Sequence, residues 1–148
     1  FRIYNETPGL YFVAHTASTE LHCFLLHPKP PVYPEAETAQ PKDKEFKEMG
    51  QFISNLEGDK KVIAFGDLND VAWSKSTKDF IKRSGLRDPR VGRGIMPTFP
   101  AWAPYLGFPL DQIFVSQHFK IKEIQCLPSA GSDHFPVLVD LCVQKNSN

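Results

Sequence analysis

The order of hydrophobic and polar residues along the chain predicts short strands around a helical middle. Apolar runs at 10–15 and 21–26, separated by the polar segment 16–20, predict two neighbouring strands. The run at 61–65 is too apolar for a strand with one wet face, so we expect it to be buried on both faces. Further strands are predicted at 112–116, 119–125 and 136–143, the last with aliphatic residues at every second position.

Two segments have the spacing of helices. The segment 43–57 places apolar residues on one helical face, and these are Phe46, Met49, Ile53 and Leu56. Gly58 follows it as a natural helix end. Ser76 and Asp79 resemble a capping box, which predicts a second helix from Ser76 to Gly85. Together these elements predict an α/β (α+β) fold, with a mixed sheet layered against helices.

Composition indicates one folded domain, which we place at 1–148. The 148 residues are 41% hydrophobic and 12% aromatic and carry no net charge, which excludes a disordered chain. No apolar run approaches the roughly 18 residues that a membrane span needs. The first six residues show neither an initiator Met nor a signal-peptide pattern, so we expect the chain to begin within a larger protein. Its cellular location stays unknown at this level.

Basic residues are concentrated between residues 75 and 93, where only Asp79 and Asp88 oppose them. Such a run is either a solvated helix face and loop or a patch that faces phosphate or a polyanion, and composition does not choose between the two. The residues are Lys75, Lys78, Lys82, Arg83, Arg87, Arg90 and Arg93.

Three acidic clusters lie at predicted strand ends. Directly after the buried run, Gly66 allows a sharp exit, and alternation then puts Asp67 and Asn69 on one side, where they could hold a hydrated cation and a water. An ordinary turn built on Asp and Asn is the alternative. Asp111 opens an apolar strand, an expensive place for a carboxylate without a partner. The third cluster is Asp133-His134, in a Gly-Ser turn before the last strand.

In this order and at these strand ends, the three segments resemble the endonuclease/exonuclease/phosphatase superfamily, which includes DNase I. The resemblance covers about 12–143 and is closest to the bacterial YafD-like branch. It implies a DNase I-like four-layer α/β/β/α sandwich, here a truncated form that lacks N-terminal strands. The matching residues are Gly66-Asp67-Leu68-Asn69, Leu110-Asp111-Gln112-Ile113-Phe114-Val115-Ser116 and Ser132-Asp133-His134-Phe135-Pro136-Val137, with a weaker match at His27.

The resemblance also implies a reaction, the cleavage of phosphate esters by in-line attack of water with Mg²⁺ or Mn²⁺. Asp67 would orient and deprotonate the water, and Asn69 would support the water and the phosphate. Asp133 would be a metal ligand, and Asp67 would be a second ligand to the same ion.

The same resemblance assigns roles to two histidines. His134 would contact the phosphoryl oxygen and stabilise the pentacovalent state. Asp111 would orient His134 and keep it charged, because a nearby carboxylate favours imidazolium. His27 would be a second phosphate contact or leaving-group donor.

One departure from the family pattern bears on activity. The principal metal-binding Glu of the superfamily lies in an N-terminal segment, and neither Glu6 nor Glu20 replaces it convincingly. We therefore expect the C-terminal portion of a catalytic domain, weakly active or inactive alone and prone to self-association through its truncated sheet. A second departure is Gln112, where close relatives often have His or Tyr, and we expect it to affect substrate contacts.

The predicted function is a metal-dependent hydrolase of phosphate esters, either a phosphodiesterase or nuclease or a phosphatase. The alternative is a non-catalytic member of the same fold that binds phosphate or nucleic acid. A zinc hydrolase is disfavoured because the five His lack ligand spacing. Nucleic acid, phospholipid and inositol phosphate remain open as substrates. YafD-like relatives often carry membrane helices upstream, so the parent protein could be anchored in a membrane.

Overall fold

The computed structural model describes residues 2–3, 7–28, 30 and 39–144. A five-stranded sheet has the order β1-β2-β3-β4-β5, and a second sheet pairs β6 with β7. Strands β3 and β4 run parallel, and every other neighbouring pair is antiparallel. The elements are β1 (Arg2–Ile3), β2 (Thr7–His15), β3 (Glu20–Leu26), α1 (Ala39–Ser54), β4 (Val62–Asp67), α2 (Lys75–Ser84), a 3₁₀ turn (Pro104–Leu106), β5 (Asp111–Val115), β6 (Phe119–Cys126) and β7 (Val137–Val143).

The main core lies between the five-stranded sheet and the two helices. The predicted apolar face of α1 is confirmed for Phe46, Met49 and Ile53, which are buried in this core. The helix ends at Ser54 and not at residue 57 as predicted, so Leu56 packs against the core from the segment that follows α1. Helix α1 begins at Ala39, four residues earlier than predicted, because a Pro in the first turn removes only an amide that has no helical partner. The buried cluster is Phe24, Leu26, Phe46, Met49, Ile53, Val62, Ala64, Leu68, Phe80, Leu86 and Phe114.

The prediction that Ser76 caps α2 is wrong. Ser74 is the N-cap, and its hydroxyl accepts a hydrogen bond from the Thr77 amide at 3.0 Å. Ser76 lies inside the first turn, where its hydroxyl donates to Asp43 of α1 and ties the two helices together. The predicted end of α2 is confirmed, because Gly85 closes the helix in a left-handed conformation.

The two faces of the five-stranded sheet differ, so the prediction that 61–65 is buried on both faces is wrong. Val62 and Ala64 are buried against the helices, whereas Ile63 and Phe65 on the other face are only half-buried. Both helices cover the same face, and in the part of the chain described no helix covers the other. The α+β class is confirmed. Val115, Phe119 and Ile124 are buried outside the main cluster, where β5 gives way to the second sheet.

Strand directions bring three chain segments to one end of the sheet. The carboxyl ends of the parallel strands β3 and β4 point the same way, so His27 and Asp67 lie at that end. Strand β5 is antiparallel to β4, and its first residue, Asp111, is the register partner of Asp67. Among the described residues, no helix has the length and apolar character needed to cross a membrane.

Candidate active site

The exit from β4 is built by a tight backbone approach. Gly66 has φ +143°, and a Cβ at this position would overlap the carbonyl group of Leu26. Only Gly tolerates both conditions. The chain then buries Leu68 in the core and turns at Asn69, whose φ is +48°. The backbone amide of Asn69 donates to Oδ1 of Asp67 at 2.8 Å, so the turn fixes the orientation of the Asp67 carboxylate.

The side chain and carbonyl of Asn69 anchor this turn to two other segments. Nδ2 of Asn69 donates to the Pro28 carbonyl at 2.9 Å, beside His27. Lys42 of α1 donates to the Asn69 carbonyl at 2.7 Å and pairs with Asp70 at 3.1 Å. Burial lowers the pKa of Lys42 below its ordinary value, although the Asp70 carboxylate offsets part of this effect. The turn is therefore held from both sides.

His134 is held by Asp111 across the mouth of the sheet. Nδ1 of His134 lies 2.7 Å from Oδ2 of Asp111. The Phe99 ring packs against the imidazole, with 4.8 Å between the two ring centroids. Burial alone would lower the pKa of His134, but the hydrogen bond to Asp111 and the negative charges of Asp111, Asp67 and Asp133 outweigh it. The net effect raises this pKa above the ordinary 6.5, which favours the imidazolium form.

Asp67 lies between two imidazoles. Its Oδ2 is 4.0 Å from Nε2 of His134 and 3.8 Å from Nε2 of His27. Because Oδ1 accepts the Asn69 amide, Oδ2 is the oxygen nearer the histidines. Four of the five predicted catalytic residues thus meet at one place, and Asn69 supports Asp67 through its backbone amide. The arrangement places a carboxylate, which can accept a proton, beside an imidazole whose charged form is favoured, and such a pair can perform acid–base chemistry.

Asp133 lies beside this group rather than inside it. Its side chain is exposed, its carboxylate accepts from the Ser132 hydroxyl at 3.4 Å, and its carbonyl accepts from the Ala101 amide. Within the described part of the chain, no three His, Cys, Asp or Glu side chains form a group that could hold a metal ion. Asp133 and Asp67 both act electrostatically on His134, however. Mg²⁺ prefers carboxylate oxygens together with water and phosphate oxygens, so these two carboxylates are the ligands that the described residues could offer it.

Thr98 positions the Asp111 side of the site, a role that the sequence does not predict. Its buried hydroxyl accepts from the amides of Leu110 and Asp111, each at 3.1 Å. Its carbonyl accepts from the Phe135 amide at 2.8 Å. One residue therefore connects the start of β5 to the segment that carries His134. In the sequence, Thr98 is marked only by its neighbours in the segment Pro97-Thr98-Phe99-Pro100, and these neighbours do not indicate its contacts.

Gln112 does not contact the site, contrary to the expectation that it affects substrate contacts. It is 1% exposed, on the helix side of β5, because side chains alternate along a strand. Its Nε2 donates to the Asp70 carbonyl at 2.5 Å, and its Oε1 accepts from Nη2 of Arg90 at 2.9 Å. Arg90 is itself paired with Asp88 through two hydrogen bonds of 2.9 and 2.8 Å. This buried network supports the loop that carries Asp67, and the sequence patterns did not predict it.

The basic stretch 75–93 does not form one patch beside the site. Arg90 is buried in its pair with Asp88. Arg87 pairs with Val115 at the far end of β5, four residues from Asp111, and donates to the Phe119 carbonyl. The lysines of α2 are exposed. The solvated-face interpretation therefore describes most of this stretch.

Several solved structures share this fold. A beta toxin variant from Staphylococcus aureus with bound magnesium ions has a TM-score of 0.61 at 17% identity over 94% of this chain and 58% of its own. A mannosyl-6-phosphatase from Bacteroides thetaiotaomicron has a TM-score of 0.64 at 22% identity, over 85% of this chain and 52% of its own. Sphingomyelinase C from Streptomyces griseocarneus has a TM-score of 0.57 at 17% identity, over 87% of this chain and 56% of its own. The chain thus spans 52–58% of the length of these structures.

Sequence comparison is consistent with the structural likeness. A search among curated proteins found no match. The model of the Endonuclease/Exonuclease/phosphatase family matches residues 4–134, which include the Asp67 loop, Asp111 and His134. The YafD-like branch stays a prediction. The predicted superfamily is confirmed, and the chain belongs to the Endonuclease/Exonuclease/phosphatase family.

Proposed function

We propose that this chain carries the proton-transfer half of a metal-dependent phosphate ester hydrolase. The observation that carries the proposal is the cluster in which Asp67 lies between His27 and His134 while Asp111 holds Nδ1, the second ring nitrogen of His134, at 2.7 Å. Membership of the family supports the hydrolytic chemistry. Solved neighbours named as a phosphatase and a sphingomyelinase support a phosphate ester as the substrate class.

In this proposal each side chain acts through the atom that the structure leaves facing the shared space. Oδ2 of Asp67 accepts the proton of the attacking water, and the Asn69 amide holds the carboxylate in place. Nε2 of His134 donates to a phosphoryl oxygen, and Asp111 keeps the ring oriented and charged. His27, whose side chain is mostly exposed, donates to the phosphate or to the leaving group.

Asp67 and Asp133 would hold the divalent cation, for which Mg²⁺ or Mn²⁺ is our proposal. When bound, such an ion polarises the phosphoryl group and offsets charge on its oxygens. Two carboxylates without a third ligand from the described residues would bind it weakly. We therefore retain the prediction that the chain is the C-terminal portion of a catalytic domain and has low activity by itself.

The test is hydrolysis of p-nitrophenyl phosphate and bis(p-nitrophenyl) phosphate in Mg²⁺ by the longer parent protein, with the 148-residue chain assayed beside it and inorganic phosphate binding to the chain followed by NMR of the histidine rings. Asp67→Asn and His134→Gln should each reduce turnover about 100-fold or more, as expected for loss of a general base or a charge-stabilising donor. The matched control is His15→Gln, because His15 is 70% exposed at the opposite end of β2. It should leave turnover unchanged.

Two results would contradict the proposal. Undiminished turnover in both site variants would exclude the assigned roles. Phosphate binding at His134 without turnover, in the longer parent protein as well as in this chain, would favour the non-catalytic alternative.

Self-association through the sheet stays a prediction with a structural basis. Leu10, Phe12 and Leu25 share the sheet face opposite the helices and are 39–51% exposed. An apolar patch on a strand surface favours contact with another apolar surface. Light scattering after size-exclusion chromatography should show oligomers that Phe12→Lys dissociates. A wild-type chain that stays monomeric would contradict this prediction.

A further inference from the structure

A loop beside the candidate site carries the three most exposed large hydrophobic side chains among the residues that the structure describes. We call residues 99–108 the aromatic loop, and the three side chains are Trp102, Tyr105 and Leu106, which are 81%, 100% and 77% exposed. Single exposed apolar residues are common on protein surfaces, whereas a group of them marks an interaction surface. None of the roles assigned above uses this group.

The base of the aromatic loop is fixed to the candidate site. The Phe99 ring packs against the His134 imidazole, and the Ala101 amide donates to the Asp133 carbonyl at 2.7 Å. Phe99 and Phe108 form a β-bridge that closes the loop. The exposed tip therefore lies next to the mouth of the site, and a surface that binds the tip is brought close to His134.

The sequence around the loop lacks the polar side chains of an ordinary protein interface. Residues 94–110 contain no Asp, Glu, Lys, Arg, His, Asn, Gln or Ser. The hydroxyl of Thr98 is buried, where it accepts from backbone amides at the start of β5. Protein–protein interfaces surround an apolar centre with a polar rim and form about one hydrogen bond per 100–200 Å². An apolar tip without such a rim fits lipid better than it fits a protein partner.

The backbone amides of the aromatic loop are largely satisfied by the protein itself. Pro100 and Pro104 have no amide hydrogen, and most of the other amides donate to backbone carbonyl groups. A loop in water does not need this, because solvent accepts from free amides, whereas in a bilayer the protein must supply the acceptors. The donors are the amides of Phe99, Ala101, Ala103, Leu106, Gly107 and Phe108. The loop can therefore leave water with few broken hydrogen bonds.

We infer that the aromatic loop inserts into the surface of a phospholipid bilayer, with Trp102 and Tyr105 at the level of the headgroups and Leu106 among the acyl chains. Trp and Tyr favour that level because each combines an apolar ring with a polar N–H or O–H group. Insertion would bring the site to a phosphate ester within the membrane. That this ester is the substrate rests on the proposed function, whereas binding to the bilayer does not.

The two tryptophans of the chain provide an optical test. Trp73→Phe leaves Trp102 as the sole tryptophan, and Trp102→Phe leaves Trp73, which is half-exposed outside the aromatic loop. With phosphatidylcholine vesicles, the emission of Trp102 should shift to shorter wavelength and be quenched by bromine atoms on the acyl chains. The emission of Trp73 should be quenched much less. An unchanged Trp102 spectrum, or equal quenching of the two tryptophans, overturns the insertion.

Two leucines form a matched pair for sedimentation with vesicles. Leu106→Asn should weaken binding about tenfold or more, because burial of a Leu side chain away from water changes a binding constant by about that factor. Leu10→Asn makes the same change at a residue that is 51% exposed on the sheet face opposite the helices, and it should change binding less than about twofold. The opposite pattern would assign vesicle binding to the sheet face and overturn the inference.

Salt separates insertion from attraction by the basic stretch 75–93. The aromatic loop is uncharged, so binding to zwitterionic vesicles should persist in high salt. Binding that is restricted to anionic vesicles and lost in high salt would assign it to the basic residues and contradict the insertion.

A matched pair of substrates, assayed with the longer parent protein in Mg²⁺, tests the connection with the proposed function. Hexadecyl p-nitrophenyl phosphate is held in vesicles by its alkyl chain, whereas ethyl p-nitrophenyl phosphate has the same reacting group and stays in water. Leu106→Asn should lower the ratio of the membrane-borne to the soluble rate about tenfold, and Leu10→Asn should leave this ratio unchanged. An unchanged ratio in a Leu106→Asn variant that has lost vesicle binding overturns the substrate assignment. Cleavage of neither ester contradicts the proposed function, while the vesicle experiments still decide whether the loop inserts.

Discussion

Replacing Gln112 by Met should destabilise the protein far more than a Gln-to-Met change usually does. The Gln112 amide joins the Asp70 carbonyl to Arg90 in a place that is 1% exposed. Met has nearly the same shape but neither donates nor accepts a strong hydrogen bond. The substitution therefore leaves one carbonyl and one guanidinium N–H buried and unpaired while the packing stays almost unchanged.

The expected loss follows from those two groups. Each buried polar group left unpaired costs about 1–3 kcal/mol, and removal of the buried amide returns part of that sum, so we expect a net loss of about 2–4 kcal/mol. Such a loss is a large part of the roughly 5–15 kcal/mol that stabilises a domain. With a urea m value of about 2 kcal/mol per molar, the unfolding midpoint should fall by about 1–2 M.

Urea unfolding followed by circular dichroism measures this change, with Gln51→Met as the control. Gln51 is exposed on α1, where its side chain bonds to Ser54 and Asn55 of the same chain segment, so the control should stay within about 0.5 kcal/mol of the wild type. The m value should not change. A midpoint for Gln112→Met that equals the control midpoint would refute the conclusion that this amide supports the loop.

Three further predictions concern other parts of the scaffold. Thr98→Val should cost about 2–4 kcal/mol, because its hydroxyl accepts two backbone amides including that of Asp111, and urea midpoints against Thr19→Val will check this. Gly66→Ala should cost at least about 3 kcal/mol through its backbone angle and the overlap at its Cβ, so little soluble folded protein should be recovered by size-exclusion chromatography. Burial, with help from nearby positive charge, lowers the pKa of His22 below 6.5, so folding opposes its protonation; wild-type stability should be complete above pH 6.5 and fall below it, more steeply than in His22→Gln.

The strands and the site were largely predictable because both follow from local patterns. Apolar runs mark the strands, and polar residues directly after them mark strand ends, so Asp67, Asp111 and His134 could be identified one by one. Their meeting is a consequence of strand direction, since antiparallel β4 and β5 make Asp67 and Asp111 register partners. A family resemblance that specifies the sheet order supplies what the local pattern lacks.

The supporting network could not be predicted in the same way. Gln112 reaches residues 22 and 42 positions away along the chain, and no periodicity in the sequence encodes such contacts. The error at the cap of α2 has a similar origin, because Ser74 and Ser76 are both good N-cap residues. Only the path of the loop after β4 and the contact with Asp43 decide which serine starts the helix.

The distances around Asp67 bear on how the site works. The gaps of 3.8 and 4.0 Å from its Oδ2 to Nε2 of His27 and of His134 exceed hydrogen-bonding distance. Each partner is instead fixed from behind, Asp67 by the Asn69 amide and His134 by Asp111. Polar groups at this separation can be bridged by a single oxygen atom, from a water or a phosphate. In the proposed reaction, a base and an acid that bonded directly would first have to separate, whereas Asp67 and His134 are held apart at a spacing that an attacking water or a phosphoryl oxygen can span.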